Sequence, residues 1–137
     1  MIDIEKSIGF LLSKAYQRAF ALFKEEFDRY DLTPPQFGLL AFLWQEDGLS
    51  QAELSSRSQI DRTTIGGVID RLEKEGMVER RHHPEDRRAY QVFLTMKGKL
   101  MEDELSGVAE RVLTKVVAPL TDKEHATLIH LLTKIRC

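Results

Sequence analysis

Residues 60–81 read IDRTTIGGVIDRLEKEGMVERR, and the adjacent glycines Gly66 and Gly67 pose the first question. Ile65, Val68, Ile69 and Leu72 recur at helical spacing and form one apolar stripe. Asp61 is a natural N-cap and Gly76 a natural C′ residue, so the spacing predicts a helix from Arg62 to Glu75. A glycine inside a helix costs roughly 1 kcal/mol relative to alanine. The face opposite the stripe carries Arg62, Thr63, Gly66, Gly67 and Arg71. Gly66 lies four residues past Arg62 and Gly67 four past Thr63, so each sits one turn along that face. A face stripped of side chains lets something bulky come close, such as a phosphate backbone or base edges. Close packing against another helix is the competing use of the same glycines, and Gly67 stands near the boundary between the faces.

Three other helix starts share one signature. Thr33–Gln36, Ser50–Glu53 and Thr121–Glu124 each place Ser or Thr three residues before Gln or Glu, the pattern of a capping box. Pro34 falls at the first helical position, where its missing N–H is harmless, and Thr95 is a further N-cap. The apolar periodicity then predicts six helices. The first runs from Ile4 to Tyr30, the second from Pro34 to Glu46 and the third from Gln51 to Arg57. The fourth is the one above, the fifth runs from Met96 to Val117 and the sixth from Asp122 to Arg136. Between the fourth and fifth the period drops to two. Val78–Arg81 and Tyr90–Leu94 read as strands, joined through Pro84-Glu85-Asp86 as a turn with proline in its second position.

The bulk properties set bounds. The chain has 137 residues, 42% of them hydrophobic and 31% charged, which suits one domain with a real core. No apolar run approaches the ~18 residues of a membrane span, and MIDIEKSIGFLL has acids but no basic leader, so a cytoplasmic protein is expected. The only cysteine is Cys137, which leaves no internal disulfide and no cysteine metal cage. The net charge of −2 does not itself favour nucleic acid, although a local basic patch acts within a Debye length of about 8–10 Å. No nucleophile with a paired base, no phosphate-cradling loop and no metal set is evident, and acid–base chemistry by His83, Glu85 and Asp86 at a hairpin tip has no enclosed pocket. An enzyme and a resident cofactor are therefore not expected.

Helix, turn, helix and two-stranded hairpin in this order make a winged helix-turn-helix, in which the helix after the turn enters the major groove. The expected fold is mainly α with a small β-hairpin wing. Residues 31–95 form the DNA-binding lobe, and residues 1–30 with 96–137 form a helical region. Phe20 on the first helix and Leu128 and Leu131 on the sixth widen their apolar faces beyond one stripe, as expected of helices that dimerise or that wrap each other within one chain. Arg62 can fork onto guanine or bind phosphate, and Thr63 and Thr64 can meet phosphate or thymine methyls. Ser50 and Gln51 open the third helix and can meet phosphate, with capping the alternative for Ser50. The hairpin holds Arg80, Arg81, His82, His83, Arg87 and Arg88 against Glu79, Glu85 and Asp86. A solvated charged loop would share that composition. Asp86, two residues before Arg88, can instead hold its guanidinium, and an arginine so placed can enter a narrow minor groove. A winged helix that binds protein instead of DNA is the alternative class.

Residues 49–100, LSQAELSSRSQIDRTTIGGVIDRLEKEGMVERRHHPEDRRAYQVFLTMKGKL, resemble the signature region of the MarR family of transcriptional regulators. The matching blocks are LSQ-x-EL, D-x-x-T at the fourth helix, V-x-RLE-x-x-G-x-V-x-R at its exit, D-x-R in the wing and LT-x-x-G at the fifth helix. The flanking helices agree, so the resemblance covers essentially the whole chain. It implies a homodimeric repressor on pseudo-palindromic double-stranded DNA, with Arg88 reading the minor groove, Asp86 supporting it and Arg87 on phosphate. It also implies release by a small organic effector, often phenolic or an aromatic acid, bound between the helical region and the lobe. Ser13, Tyr16 and Phe37 are the candidate lining residues, with ordinary core packing the alternative for Tyr16 and Phe37. Arg18 either pairs with an effector carboxylate or faces solvent. Oxidation sensing has only Cys137 to work with. Metal sensing has His82 and His83 in the wing, and His125 and His130 at a spacing of five that does not align on a helix.

Overall fold

A computed structural model describes residues 1–136, and Cys137 lies outside the described residues. Among the described residues, seven α-helices and one hairpin follow the order α1 (Ile8–Phe27), α2 (Pro34–Gln45), α3 (Gln51–Ser58), α4 (Arg62–Lys74), β1 (Val78–His83), β2 (Asp86–Leu94), α5 (Met96–Leu100), α6 (Glu102–Val117) and α7 (Asp122–Ile135). They cluster into two units. One is Tyr30–Ser106, and the other joins Met1–Arg29 to the segment from Gly107 onward. Residues 96–106, grouped by sequence with the terminal helices, thus pack with the lobe.

The lobe is built on local signals. Thr33 and Ser50 form complete capping boxes with Gln36 and Glu53, and Asp61 and Thr95 accept the Thr64 and Gly98 amides. The α4 stripe of Ile65, Val68, Ile69 and Leu72 is buried, against a core that includes Leu39, Leu40 and Leu43 of α2, Leu54 of α3, and Val78, Val92 and Leu94 of the hairpin. Gln36 is also buried, its Oε1 accepting the Thr33 amide, so it brings no unsatisfied group inside. Helix α4 ends in a Schellman turn. Gly76 adopts φ 74°, its amide bonds to Glu73 O, and the Met77 amide reaches Leu72 O.

The hairpin is longer than expected, because β1 and β2 stay paired out to His83 and Asp86, leaving Pro84 and Glu85 alone in the turn. A short third segment joins it: Gly48 N donates to Val92 O and Val92 N to Leu49 O. Gly48 takes φ 77°, and a Cβ there would lie 2.7 Å from the Phe93 ring.

The fifth predicted helix is two. Met101, at φ −84° and ψ −7°, turns its amide to both Lys97 O and Lys99 O, and α6 starts afresh at Glu102. What holds α5 is the α4 exit. Thr95 donates through its amide to Met77 O and through its hydroxyl to Gly76 O, and Trp44 Nε1 donates to Gly98 O at 3.0 Å. Gly98 lies so close to this turn that an added Cβ would stand 2.2 Å from Met77 O. The predicted first helix also shortens, with 3₁₀ turns at Ile4–Lys6 and Asp28–Tyr30 flanking α1, and Asp31 at φ 55° bending the chain away.

In the other unit, Arg18 is exposed and bonds to backbone. It donates to Lys115 O and Val116 O, both at 3.0 Å, and so satisfies carbonyls at the end of α6. Glu26 accepts from Lys115 at 2.7 Å and pairs with Arg111 at 3.4 Å. The hydrogen bond from Lys115 is the main reason its carboxyl stays below the usual range. Ile8, Leu11, Leu12, Tyr16 and Phe20 of α1, and Leu128, Ile129, Leu131, Leu132 and Ile135 of α7, remain exposed.

Gly98→Ala is expected to lower the unfolding free energy by about 1–3 kcal/mol, measured by urea denaturation, because the new methyl meets the backbone carbonyl of Met77.

Candidate nucleic-acid interface

The start of α3, the start of α4 and the hairpin border one open groove, lined among others by Ser50, Gln51, Arg62, Arg80, Asp86, Arg88 and Tyr90. This brings together Ser50, Gln51, Arg62, Asp86 and Arg88 of the residues chosen from sequence. Ser50 Oγ accepts the Glu53 amide at 3.0 Å, so the hydroxyl acts as a cap and can still donate outward. Glu53 returns to the Ser50 amide, and that bond chiefly holds its carboxyl below the ordinary value. Gln51 is half-buried and accepts from Arg80 Nε at 3.3 Å, so its side chain braces the fold.

On α4, Arg62 and Thr63 are exposed at the first turn. Thr64 is also exposed, but its hydroxyl donates to Asp61 Oδ2 at 2.9 Å while its amide goes to Oδ1, and these bonds keep the Asp61 carboxyl low. The two glycines part company. Gly66 is half-buried beside α3, where a Cβ would sit 3.3 Å from Gln51 Nε2, whereas Gly67 is exposed and an added Cβ would meet nothing within 4 Å beyond its own helix. The outward line is therefore Thr63, Gly67, Asp70 and Lys74, and Gly66 belongs to the packed flank. Arg71 does not join the groove. It lines a separate depression with Asp31, Thr33, Lys74 and Glu75. At about 100° per residue the nine steps from Arg62 carry it half a turn round the helix.

At the wing tip Asp86 Oδ1 accepts the Arg88 amide at 2.9 Å. The guanidinium stands 3.6 Å away, an ion-pair distance beyond hydrogen bonding, and its side chain is 94% exposed. The carboxylate thus fixes the backbone under Arg88 and stands at ion-pair distance from its guanidinium without a hydrogen bond to it, while the side chain stays exposed. Arg87 is exposed, with its carbonyl 2.8 Å from His82 Nδ1, and the His82 ring lies tilted against Tyr90 at 4.8 Å between centroids. Arg81 covers the Phe93 ring and pairs with Glu79.

Arg80 is the residue whose part the sequence reading missed. Its side chain is 17% exposed and pairs with Asp70 at 2.7 Å and with Glu73. Strand alternation was the available signal: Arg80 shares the inward face with Val78, so it needs partners inside. Among the effector candidates, Ser13 and Tyr16 are exposed on α1, and Phe37 packs edge-on against Trp44 at 5.9 Å. Among the described residues, no group of three or more His, Cys, Asp or Glu side chains could hold a metal ion, and no helix is long and apolar enough to cross a membrane.

Residues 32–90 match the model of the MarR family. The chain is 33% identical over 133 residues to the HTH-type transcriptional repressor NicR of Pseudomonas putida, covering 97% of this chain and 84% of that one. Its fold matches BpsR of Bordetella bronchiseptica, whose DNA binding is regulated by 6-hydroxynicotinic acid, with a TM-score of 0.93 and 30% identity over 98% of this chain and 96% of that one. It also matches PcaV of Streptomyces coelicolor, solved with its natural ligand, with a TM-score of 0.89 and 27% identity over 98% and 95% of the two chains.

Gly67→Ala is expected to raise stability by about 0.5–1 kcal/mol, as for any glycine replaced in an open helix interior. Gly66→Ala gains less, since Gln51 must give way. Thermal unfolding of the two variants side by side checks the assignment.

Proposed function

Because the chain belongs to the MarR family of transcriptional regulators, we propose that it is a repressor that grips duplex DNA with the start of α4 in the major groove and Arg88 in the minor groove. The observation that carries this reading is the pairing of an exposed arginine on a fixed backbone at the wing tip with Arg62 across the same groove. Ser50 and the free amides at the start of α3 take phosphate, and Arg62 and Thr63 reach base edges. Gly67 adds no side chain on the outward line, so the helix can lie deep. Arg87 meets the backbone beside the wing.

The exposed apolar residues of α1 and α7 favour a homodimer. Two copies related by a twofold axis present their α4 helices to successive major grooves, which selects a pseudo-palindromic operator. A DNA-binding regulator of this kind works in the cytoplasm. Similarity to BpsR favours a small aromatic acid as the effector that releases DNA, by binding better to the state that does not fit the operator. Ser13, Tyr16 and Phe37 are the residues we assign to it.

The test is binding to duplex DNA selected from a random-sequence pool and to the protein's own upstream region. Arg88→Ala is expected to weaken binding about tenfold or more, with unchanged thermal unfolding. Affinity equal to wild type at moderate salt refutes the wing assignment. Light scattering at micromolar concentration is expected to give twice the chain mass, and a monomer there removes the twofold model.

A further inference from the structure

We infer that Arg80 is a positioning residue for DNA recognition: its guanidinium, locked between α3, α4 and β1, sets the attitude in which α4 meets the bases, without touching DNA itself. This rests on the DNA-binding reading and adds a residue to it.

The geometry is specific. Arg80 Nη1 donates to Asp70 Oδ1 at 2.7 Å and to Glu73 Oε1, Nη2 donates to Gly66 O at 3.0 Å, and Nε donates to Gln51 Oε1 at 3.3 Å. Four of the five N–H donors of the guanidinium are thus engaged. The Arg80 amide adds a bond to Glu73 Oε2 at 3.2 Å. One planar group therefore ties the middle and last turn of α4 to the first turn of α3 and to the root of the wing. Gly66 completes the junction. Its carbonyl is one of the acceptors, and the missing Cβ leaves room for Gln51, which lies 3.3 Å from where that atom would be.

Asp70 shows why the direction matters. Its side chain is 69% exposed on the outward line of α4, where a carboxylate repels phosphate. Attraction to DNA gives such a carboxylate no use. As a strut for Arg80 it has a use that outweighs that repulsion. Lysine cannot replace the arginine, because a point ammonium lacks the fork that addresses partners on three sides.

The experiment measures anisotropy with two labelled duplexes: one selected by the wild-type protein from a random-sequence pool, and a scrambled duplex of the same length and composition. Arg80→Lys keeps the charge, so affinity for the scrambled duplex stays at the wild-type value while affinity for the selected one falls about tenfold. Asp70→Asn removes a negative charge from the DNA side. Affinity for the scrambled duplex holds or rises, while affinity for the selected one falls about threefold, as the loss of one strut among four implies. An equal loss of Arg80→Lys on both duplexes marks a phosphate contact or a general loss of fold and overturns the inference. Full retention on the selected duplex overturns it too. If Arg80→Lys does not fold, Asp70→Asn decides alone, and a parallel rise on both duplexes overturns the inference. A wild-type protein that selects no duplex overturns the DNA-binding reading itself, before either variant is compared.

Discussion

The wing holds Arg88 on a fixed backbone because its root is tied down. The end of α4 and the start of α5 are knotted together there. Gly76 turns the chain left-handed, Thr95 bonds to both Gly76 and Met77, and the α5 backbone rests against Met77 at Gly98. Trp44 then anchors that backbone to α2. These contacts close the two ends of the hairpin on one another just where Val78 pairs with Leu94. From that closed root the register runs outward without choice until the irregularity between His82 and His83 near the tip. The Gly48–Ser50 segment pairs with β2 part-way along, so the start of α3 moves with the wing. Helix, wing and turn consequently share a single frame.

Charge is distributed by the same logic. A net charge of −2 hides a division of labour among the arginines. Arg18 satisfies helix carbonyls, Arg80 and Arg81 are neutralised by neighbouring acids, and Arg111 joins Lys115 at Glu26. Arg62, Arg87 and Arg88 stay exposed at the groove and wing tip. Counting residues by sign cannot separate these groups, because the distinction lies in which carboxylate reaches which guanidinium. An exposed arginine standing on an ordered backbone binds a polyanion with less ordering entropy to lose.

Much of this architecture was legible because its signals are local. Capping boxes at Thr33, Ser50 and Thr121 and the caps at Asp61 and Thr95 each depend on residues three apart, and each appears where expected. The α4 stripe and the turn at Pro84 are equally short-range. What failed was long-range. Two glycines about 100° apart on one helix cannot be assigned to packing or to an open face until the position of α3 is known. Gln51 and Thr64 read as free donors until their partners are in place. The Gly48 pairing with β2 joins residues more than forty positions apart, and the interruption at Met101 arises from α5 being held against the α4 exit. Arg80 was within reach by alternation, yet lay in a run whose other arginines face out.

Helix α7 carries a last consequence. None of its described residues is buried, although its apolar side chains recur at helical spacing. Fourteen residues in water are barely enough to keep a helix, so its order draws on whatever covers that face. When a second chain does so, chain concentration becomes a variable of folding itself. Dilution then unwinds as well as separates. In a dimer coupled in this way, the amount of protein made would set folding and binding together.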